Sequence, residues 1–273
     1  MSAELLILAG LMLAAGLVGG ILAGLLGVGG GIIIVPVLEF ALSLYGVDSA
    51  IRMHVAVATS LAIIIPTSIS SSRAHHHKGA VDIAIIKRWG GPIFTGSILG
   101  TLLAIQVESS TLAAIFATVA VIVAIKMLLP LEGKTLAPAV PGGMLMSLLP
   151  LSIGTLSSML GIGGGTISVT ALTLLNQNIH RAVGTSALFG LLISLPGALG
   201  FAIAGWNDVR LPLGSAGFVN LLAFACIAPV TVLSAPLGVR LAHKLNQRQL
   251  SLAFGCFLLL VAARMLYRAT LGT

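Results

Sequence analysis

The chain is a succession of long apolar stretches separated by short polar breaks. Ten apolar segments can be marked, at about 4–26, 31–46, 53–72, 83–105, 110–129, 139–160, 165–176, 182–204, 215–241 and 248–268. Several run 18 residues or more with few charges, the length at which a helix crosses about 30 Å of hydrocarbon. The pattern predicts an all-α polytopic membrane protein. The pairs 4–26/31–46 and 139–160/165–176 are each interrupted by glycines and read either as full crossings or as hairpins. The short 165–176 member favours a re-entrant half-helix whose tip lies at membrane depth.

The segments repeat. "GVGGG" (27–31) returns as "GIGGG" (161–165), "HVAVATS" (54–60) as "HRAVGTS" (180–186), and "AIKML" (124–128) as "AARML" (262–266). The offsets are 134, 126 and 138 residues, so block order is kept while connections vary in length. This predicts two membrane repeats, 1–134 and 135–273, of five segments each. Five is odd, so the second repeat should be inverted relative to the first. With the basic segment 72–88 placed in the cytoplasm, ten basic residues fall inside. Arg52, Arg210, Arg264 and Arg268 fall outside, as the positive-inside rule asks.

Composition agrees. Of 273 residues 58% are hydrophobic and 8% charged, against about 25% charged in soluble domains. The net charge of +7 reads as topology marking, not as a nucleic-acid surface. The N-terminus carries an acid and no basic n-region, so it reads as a retained first helix. Cys226 and Cys256 lie in apolar runs without metal-type spacing and read as small packing residues. His75, His76 and His77 with Lys78 read as a solvated basic loop. Neither glycine run completes G-x-G-x-x-G, because Ile32 and Thr166 occupy the last position, and no G-K-[ST] follows. No catalytic set emerges, so the chain does not read as an enzyme, and no cofactor or metal is expected.

Irregular backbone survives inside a membrane only where protein or a water-filled cavity surrounds it. A glycine break that restarts a helix presents free N–H groups and the positive end of the helix dipole. It is therefore suited to an anion. Close helix packing through Gly27/Gly31 and Gly161/Gly165 is the plainer alternative. Expected substrate-binding residues are Gly29, Gly30, Gly31, Gly163, Gly164, Gly165 and Thr166 with the hydroxyl pairs Thr59/Ser60 and Thr185/Ser186. Pro66 and Pro196 follow in the same helices and free backbone carbonyls there. Coupling or gating candidates are His54 and His180 at equivalent positions, the adjacent Arg52 and Arg181, and Glu39, an unduplicated acid within an apolar segment.

The two "LG[VI]GGG" runs, each followed by a "TS" block, resemble the sulfite exporter TauE/SafE family, and the resemblance covers nearly the whole chain. It implies a multi-pass inner-membrane permease for sulfite, sulfoacetate or related organosulfonates. It carries over the family glycines to Gly27, Gly29, Gly30, Gly31, Gly161, Gly163, Gly164 and Gly165 and the pairs Thr59/Ser60 and Thr185/Ser186. Ala58 stands where the family tends to have glycine. The expectation is a secondary transporter working by alternating access in the lipid bilayer. Proton coupling and homo-oligomer formation are both compatible with it, and an anion channel or uniporter for small oxyanions or carboxylates is the alternative.

Overall fold

The computed structural model describes residues 3–27, 29–129 and 147–241, and most of 252–267. The described chain is helical apart from its connections: α1 (Ala3–Leu26), α2 (Gly31–Leu44), α3 (Ser49–His76), α4 (Ile83–Ala104), α5 (Ser109–Leu128), α6 (Leu148–Met159), α7 (Gly165–Leu174), α8 (Ile179–Ala204) and α9 (Leu221–Leu241). The described residues between 252 and 267 are helical as well. Helices α3, α5, α8 and α9 are long and apolar enough to cross a bilayer. Exposed leucines and isoleucines such as Leu17, Leu103, Ile122, Leu199, Ile203 and Leu233 coat the outside. This is a multi-pass membrane protein, whose exposed apolar girdle is the surface a lipid solvent requires. The predicted stretches 130–146 and 242–251 lie outside the described residues.

Four long helices, α3, α4, α8 and α9, start where a short polar side chain can take up their unpaired N–H groups. Asp48 Oδ1 accepts from Ala50 N at 2.9 Å, Asp82 Oδ1 from Ala84 N at 3.0 Å, Asn178 Oδ1 from His180 N at 2.9 Å and Asn220 Oδ1 from Ala223 N at 2.9 Å. The last cap corrects one boundary. Residues 215–220, expected as helix, form a two-residue antiparallel ribbon, Ser215–Ala216 with Val219–Asn220. Gly214 and Gly217 at φ 75° and 56° turn the chain there. The histidine tract is a second correction. Helix α3 runs through His76, and buried His75 places Nε2 3.1 Å from the Gly24 carbonyl of α1, so only His76 and His77 are solvated. A third concerns Cys226 and Cys256, which are exposed on the apolar outside instead of packed between helices.

Small residues set the helix crossings. Gly16 of α1 lies against Ile227 and Val230 of α9, Gly20 against Thr231 and Ser234, and Gly24 against Ala235 and Val239, so the two helices run parallel in close contact. Helices α4 and α6 pack in the same way: Gly96 meets Leu151, Gly100 meets Thr155 and Gly154 meets Ile93. The correspondence extends to single contacts. A methyl on Gly238 would overlap the carbonyl of Ile21, and one on Gly100 would overlap that of Thr155. These two pairs are related by the 138- and 134-residue offsets of the sequence blocks.

Helix α3 runs beside α9 in the same direction, through Thr67–Thr231 (2.7 Å) and the bond from Ser70 to the Val232 carbonyl (2.9 Å). It runs opposite to α8, where Leu61 meets Gly197 and Ser68 meets Gly190. Helix α8 runs with α4, joined by the bond from Ser97 to the Ile193 carbonyl at 2.6 Å and by the contact of Gly200 with Thr101. Helices α1, α3 and α9 therefore point one way, and α4, α6 and α8 the other.

The crossings yield a stability prediction. Gly154→Val or Gly238→Val drives a side chain into a neighbouring backbone and should cost about 1–3 kcal/mol or more. Gly91→Ala, with open space around it, should be neutral or gain up to about 1 kcal/mol from helix propensity. Thermal unfolding of the detergent-purified variants measures both.

Candidate functional site

Two glycine turns meet inside the helix bundle. Gly27 and Gly161 adopt φ of 64° and 66°, and the helix-starting residues Gly30 and Gly164 adopt 76° and 70°. These left-handed conformations favour glycine. Space demands it too. A methyl on Gly31 would overlap the Gly161 carbonyl and come within 3.0 Å of Ile162 Cα, and one on Gly29 would sit 3.5 Å from Gly163 Cα. The packing alternative and the close-approach reading therefore describe one feature: the turns touch because the glycines at the contact carry no side chains.

The meeting point lies midway along the long helices. Ile64, near the middle of α3, packs against Gly29, Gly31 and Gly163, while Gly163 also meets Gly190, near the middle of α8. After α1 the chain doubles back, so that Gly30 and Ile34 lie against Gly19. Helix α2 then leads to the face where α3 begins, and α7 to the face where α8 begins. Since α3 and α8 are antiparallel, the two short helices leave the crossing toward opposite faces. Their 14 and 10 residues span about 21 and 15 Å, half to two-thirds of a bilayer core. Helix α1, with 24 residues, is of crossing length, so the first pair is a long helix followed by a half-helix.

Each turn leans on the other half's repeated block. A methyl on Gly27 would strike the Val183 backbone, and one on Gly161 the Val57 backbone, and these valines are 126 residues apart, like the blocks themselves. Ser60 Oγ donates to the Gly161 carbonyl at 2.8 Å. Thr59 Oγ1 accepts the Asn220 N–H at 2.9 Å, and Thr185 Oγ1 accepts the Asp82 N–H at 3.0 Å. Asn220 and Asp82 are the capping residues of α9 and α4. Both threonines thus hold the start of a neighbouring helix, away from the glycine turns. Ser186 Oγ is buried with no hydrogen-bond partner among the described residues.

The two histidines are not equivalent in surroundings. His54 is buried against Phe218 and Phe201. Its Nε2 lies 3.1 Å from the carbonyls of both Ala104 and Val107, which ties α3 to the α4–α5 connection. His180 is exposed at the start of α8. Arg52 donates from Nη2 to the Val47 carbonyl at 2.9 Å and lies 3.7 Å from the Glu39 carboxylate, so the apolar-segment acid has a cation beside it. Arg181 lies 3.7 Å from Asp82 at the opposite face and remains largely exposed. In the loop after α8, the guanidinium of Arg210, bonded to Asp208 at 2.6 Å, holds that carboxyl below its usual range. Among the described residues no group of three His, Cys, Asp or Glu could hold a metal ion.

Two basic residues near the half-helices were not singled out from the sequence. Lys126 of α5 donates to Thr170 of α7 at 2.5 Å. Arg264, its counterpart at the 138-residue offset, stacks 4.0 Å over the Phe40 ring of α2. The third repeated block, "AIKML" and "AARML", contains both, so the signal was present as alignment and lacked only a spatial neighbour.

The two touching glycine turns, each opening a half-helix, lie inside the stretch of the chain that a known family matches. The family described as sulfite exporter TauE/SafE matches residues 12–265. The chain belongs to that family. Relatives of the TauE/SafE chain include a "Probable membrane transporter protein" of Haemophilus influenzae, 34% identical over 93% of this chain and 97% of its own length. "Probable membrane transporter protein YunE" of Bacillus subtilis is 25% identical over 92% and 95% of the two chains. A similarly named protein of Methanocaldococcus jannaschii is 26% identical over 93% and 94%. No solved structure matches the chain.

The TauE/SafE threonines provide a test of their capping role. Thr59→Val should leave the buried Asn220 N–H without an acceptor, at a cost of about 1–3 kcal/mol, whereas Thr59→Ser should keep it. Thr185→Val, whose partner Asp82 N is only partly buried, should cost less. Thermal unfolding of the three variants decides the order.

Proposed function

We propose that this protein is a secondary transporter that exports a small sulfur-containing anion, sulfite or an organosulfonate, across a bacterial inner membrane. The observation that carries the reading is the meeting of the two glycine turns at mid-depth. Each turn starts a half-helix there, so two sets of first-turn N–H groups and two positive dipole ends converge on one region. Family membership supports the substrate class, because the family is described by sulfite export.

The same reading takes residues 1–134 and 135–273 as two inverted repeats. It is supported by the opposite directions of α1 and α6, α3 and α8, and α4 and α9, and by glycine contacts that recur with helix partners exchanged. Rocking of one repeat against the other would open the crossing first to one face, along α7, and then to the other, along α2. A permanently open channel fits less well, because Ile64 fills the gap between the turns and Ile193 packs against Gly164. An inside-negative potential already favours exit of a monoanion by about 2.3 kcal/mol per 100 mV. Export therefore needs no obligatory proton, and His54, with Nε2 at two carbonyls, serves structure in this scheme.

Flux of labelled sulfite or sulfoacetate from proteoliposomes tests the site. Gly163→Ala is the informative variant, since Gly163 lacks a positive φ and its new methyl would come nearest to a side chain, Ile64 Cγ2 at 2.8 Å, with Gly190 Cα at 3.5 Å. The protein should fold, while affinity or flux falls by roughly tenfold, equivalent to about 1.4 kcal/mol. Gly30→Val and Gly164→Val should abolish flux. Wild-type flux in all three would remove the glycine crossing from the mechanism, and a fixed proton stoichiometry would replace potential-driven export with symport or antiport.

A further inference from the structure

The two turns share a backbone but not a lining. Around Gly164, the start of α7, an added methyl would lie 3.5 Å from Ser157 Oγ and 3.6 Å from Ser168 Oγ. A methyl on Gly190 would overlap Ser68 Oγ and come 3.1 Å from the Gly163 carbonyl. All three serines are at most 1% exposed, and none of their hydroxyls has a hydrogen-bond partner among the described residues.

At the 134-residue offset, Ser157 and Ser168 correspond to Ala23 and Ile34 of the first half, both buried. Gly190, at the 126-residue offset, corresponds to Ile64. One turn is lined with hydroxyls, and the other with hydrocarbon.

Several intramembrane hydroxyls of this protein take a local partner, although Ser71, Thr166 and Ser186, like the three serines, have none among the described residues. Thr67, Thr101, Thr155 and Thr170 each donate to the carbonyl four residues earlier in their own helix, at 2.7–3.0 Å. Ser68, Ser157 and Ser168 also lie in helices, yet they forgo that bond. A buried hydroxyl without a partner is unfavourable, and Ser157 and Ser168 bring two such donors to one helix start, with Ser68 beside Gly190 close by. The first-turn N–H groups of α7, from Gly165 to Ile167, add donors that no i−4 carbonyl can take.

Resting on the transporter reading above, we infer that the anion is gripped by the second turn alone. Ser157, Ser168 and Ser68 with the first N–H groups of α7 form a cradle for a three-oxygen –SO₃ head. The first turn closes the opposite side as a dry wall. The donors are neutral and numerous, so they suit an acceptor with three equivalent oxygens better than a planar two-oxygen carboxylate. The Ile193 and Ile64 side chains, which pack on Gly164 and Gly163, must swing aside to admit it.

The test uses the intact protein in proteoliposomes and detergent, with sulfite as probe and acetate as the two-oxygen comparison. Ser157→Ala/Ser168→Ala should raise the KM for sulfite flux at least tenfold and abolish sulfite-induced thermal stabilisation. Its own unfolding temperature without ligand should hold or rise, because unpartnered hydroxyls are being removed. Ser194→Ala, the counterpart of Ser68 in the other half, should leave KM within twofold.

A wild-type KM in the double variant would overturn the cradle. So would a fall in the ligand-free unfolding temperature with KM unchanged, which would mark the serines as structural. So would equal stabilisation by acetate. If the double variant transports normally while Gly30→Val and Gly164→Val do not, the cradle alone is lost. If the glycine variants also transport normally, the central site itself is lost.

Discussion

Backbone polarity in a medium without water is the constraint on which this structure depends. A helix that stops inside a membrane leaves N–H and C=O groups that lipid cannot satisfy. This protein stops two helices there and lets the two breaks shelter each other. Gly31 lies on the Gly161 carbonyl, Ser60 donates to that carbonyl, and Gly30 packs under the Gly19 backbone. Each break is also braced by a valine backbone of the opposite half, Val183 or Val57. The halves are therefore interlocked at the least tolerant point of the fold. Everything around the crossing follows from keeping it close: glycine faces on α1, α4, α6 and α9, and helix pairs near enough for carbonyl contact.

The polar side chains divide into two populations. Thr59 and Thr185 accept the N–H of a capping residue, and Thr67, Thr101 and Ser97 stitch one helix to another. They make the frame. Ser68, Ser71, Ser157, Thr166, Ser168 and Ser186 make no such bond among the described residues, and Ser157 and Ser168 lie beside the start of α7. The backbone of the two turns is near-symmetric, while the side chains beside them are not.

Charges stay at the ends of the half-helices. Glu39 meets Arg52 at one face, and Lys126 bonds Thr170 on the way to the other. Arg264 rests on Phe40. These placements avoid an isolated charge at mid-depth, which hydrocarbon penalises heavily. They also put a cation beside each half-helix.

The sequence alone determined the class and the glycine turns. Apolar length is a one-dimensional property set by bilayer thickness, and duplicated blocks such as "GVGGG" and "GIGGG" are visible without coordinates. The segment start at 83 coincides with the helix that Asp82 caps, whereas the start at 53 fell four residues inside the helix that Asp48 caps, and 215–220 failed outright. There an apolar run hides a glycine-turned ribbon, because hydropathy does not register φ. Only the tertiary structure decided which hydroxyls are committed. Thr59 and Ser60 sit side by side in the chain, yet one caps α9 from 161 residues away and the other bonds the opposite glycine turn. Ser157 and Ser168, by contrast, carry no repeat signal at all, since their counterparts are alanine and isoleucine. A hydroxyl's role depends on the partner it meets, and in a bundle of crossing helices that partner comes from another part of the chain.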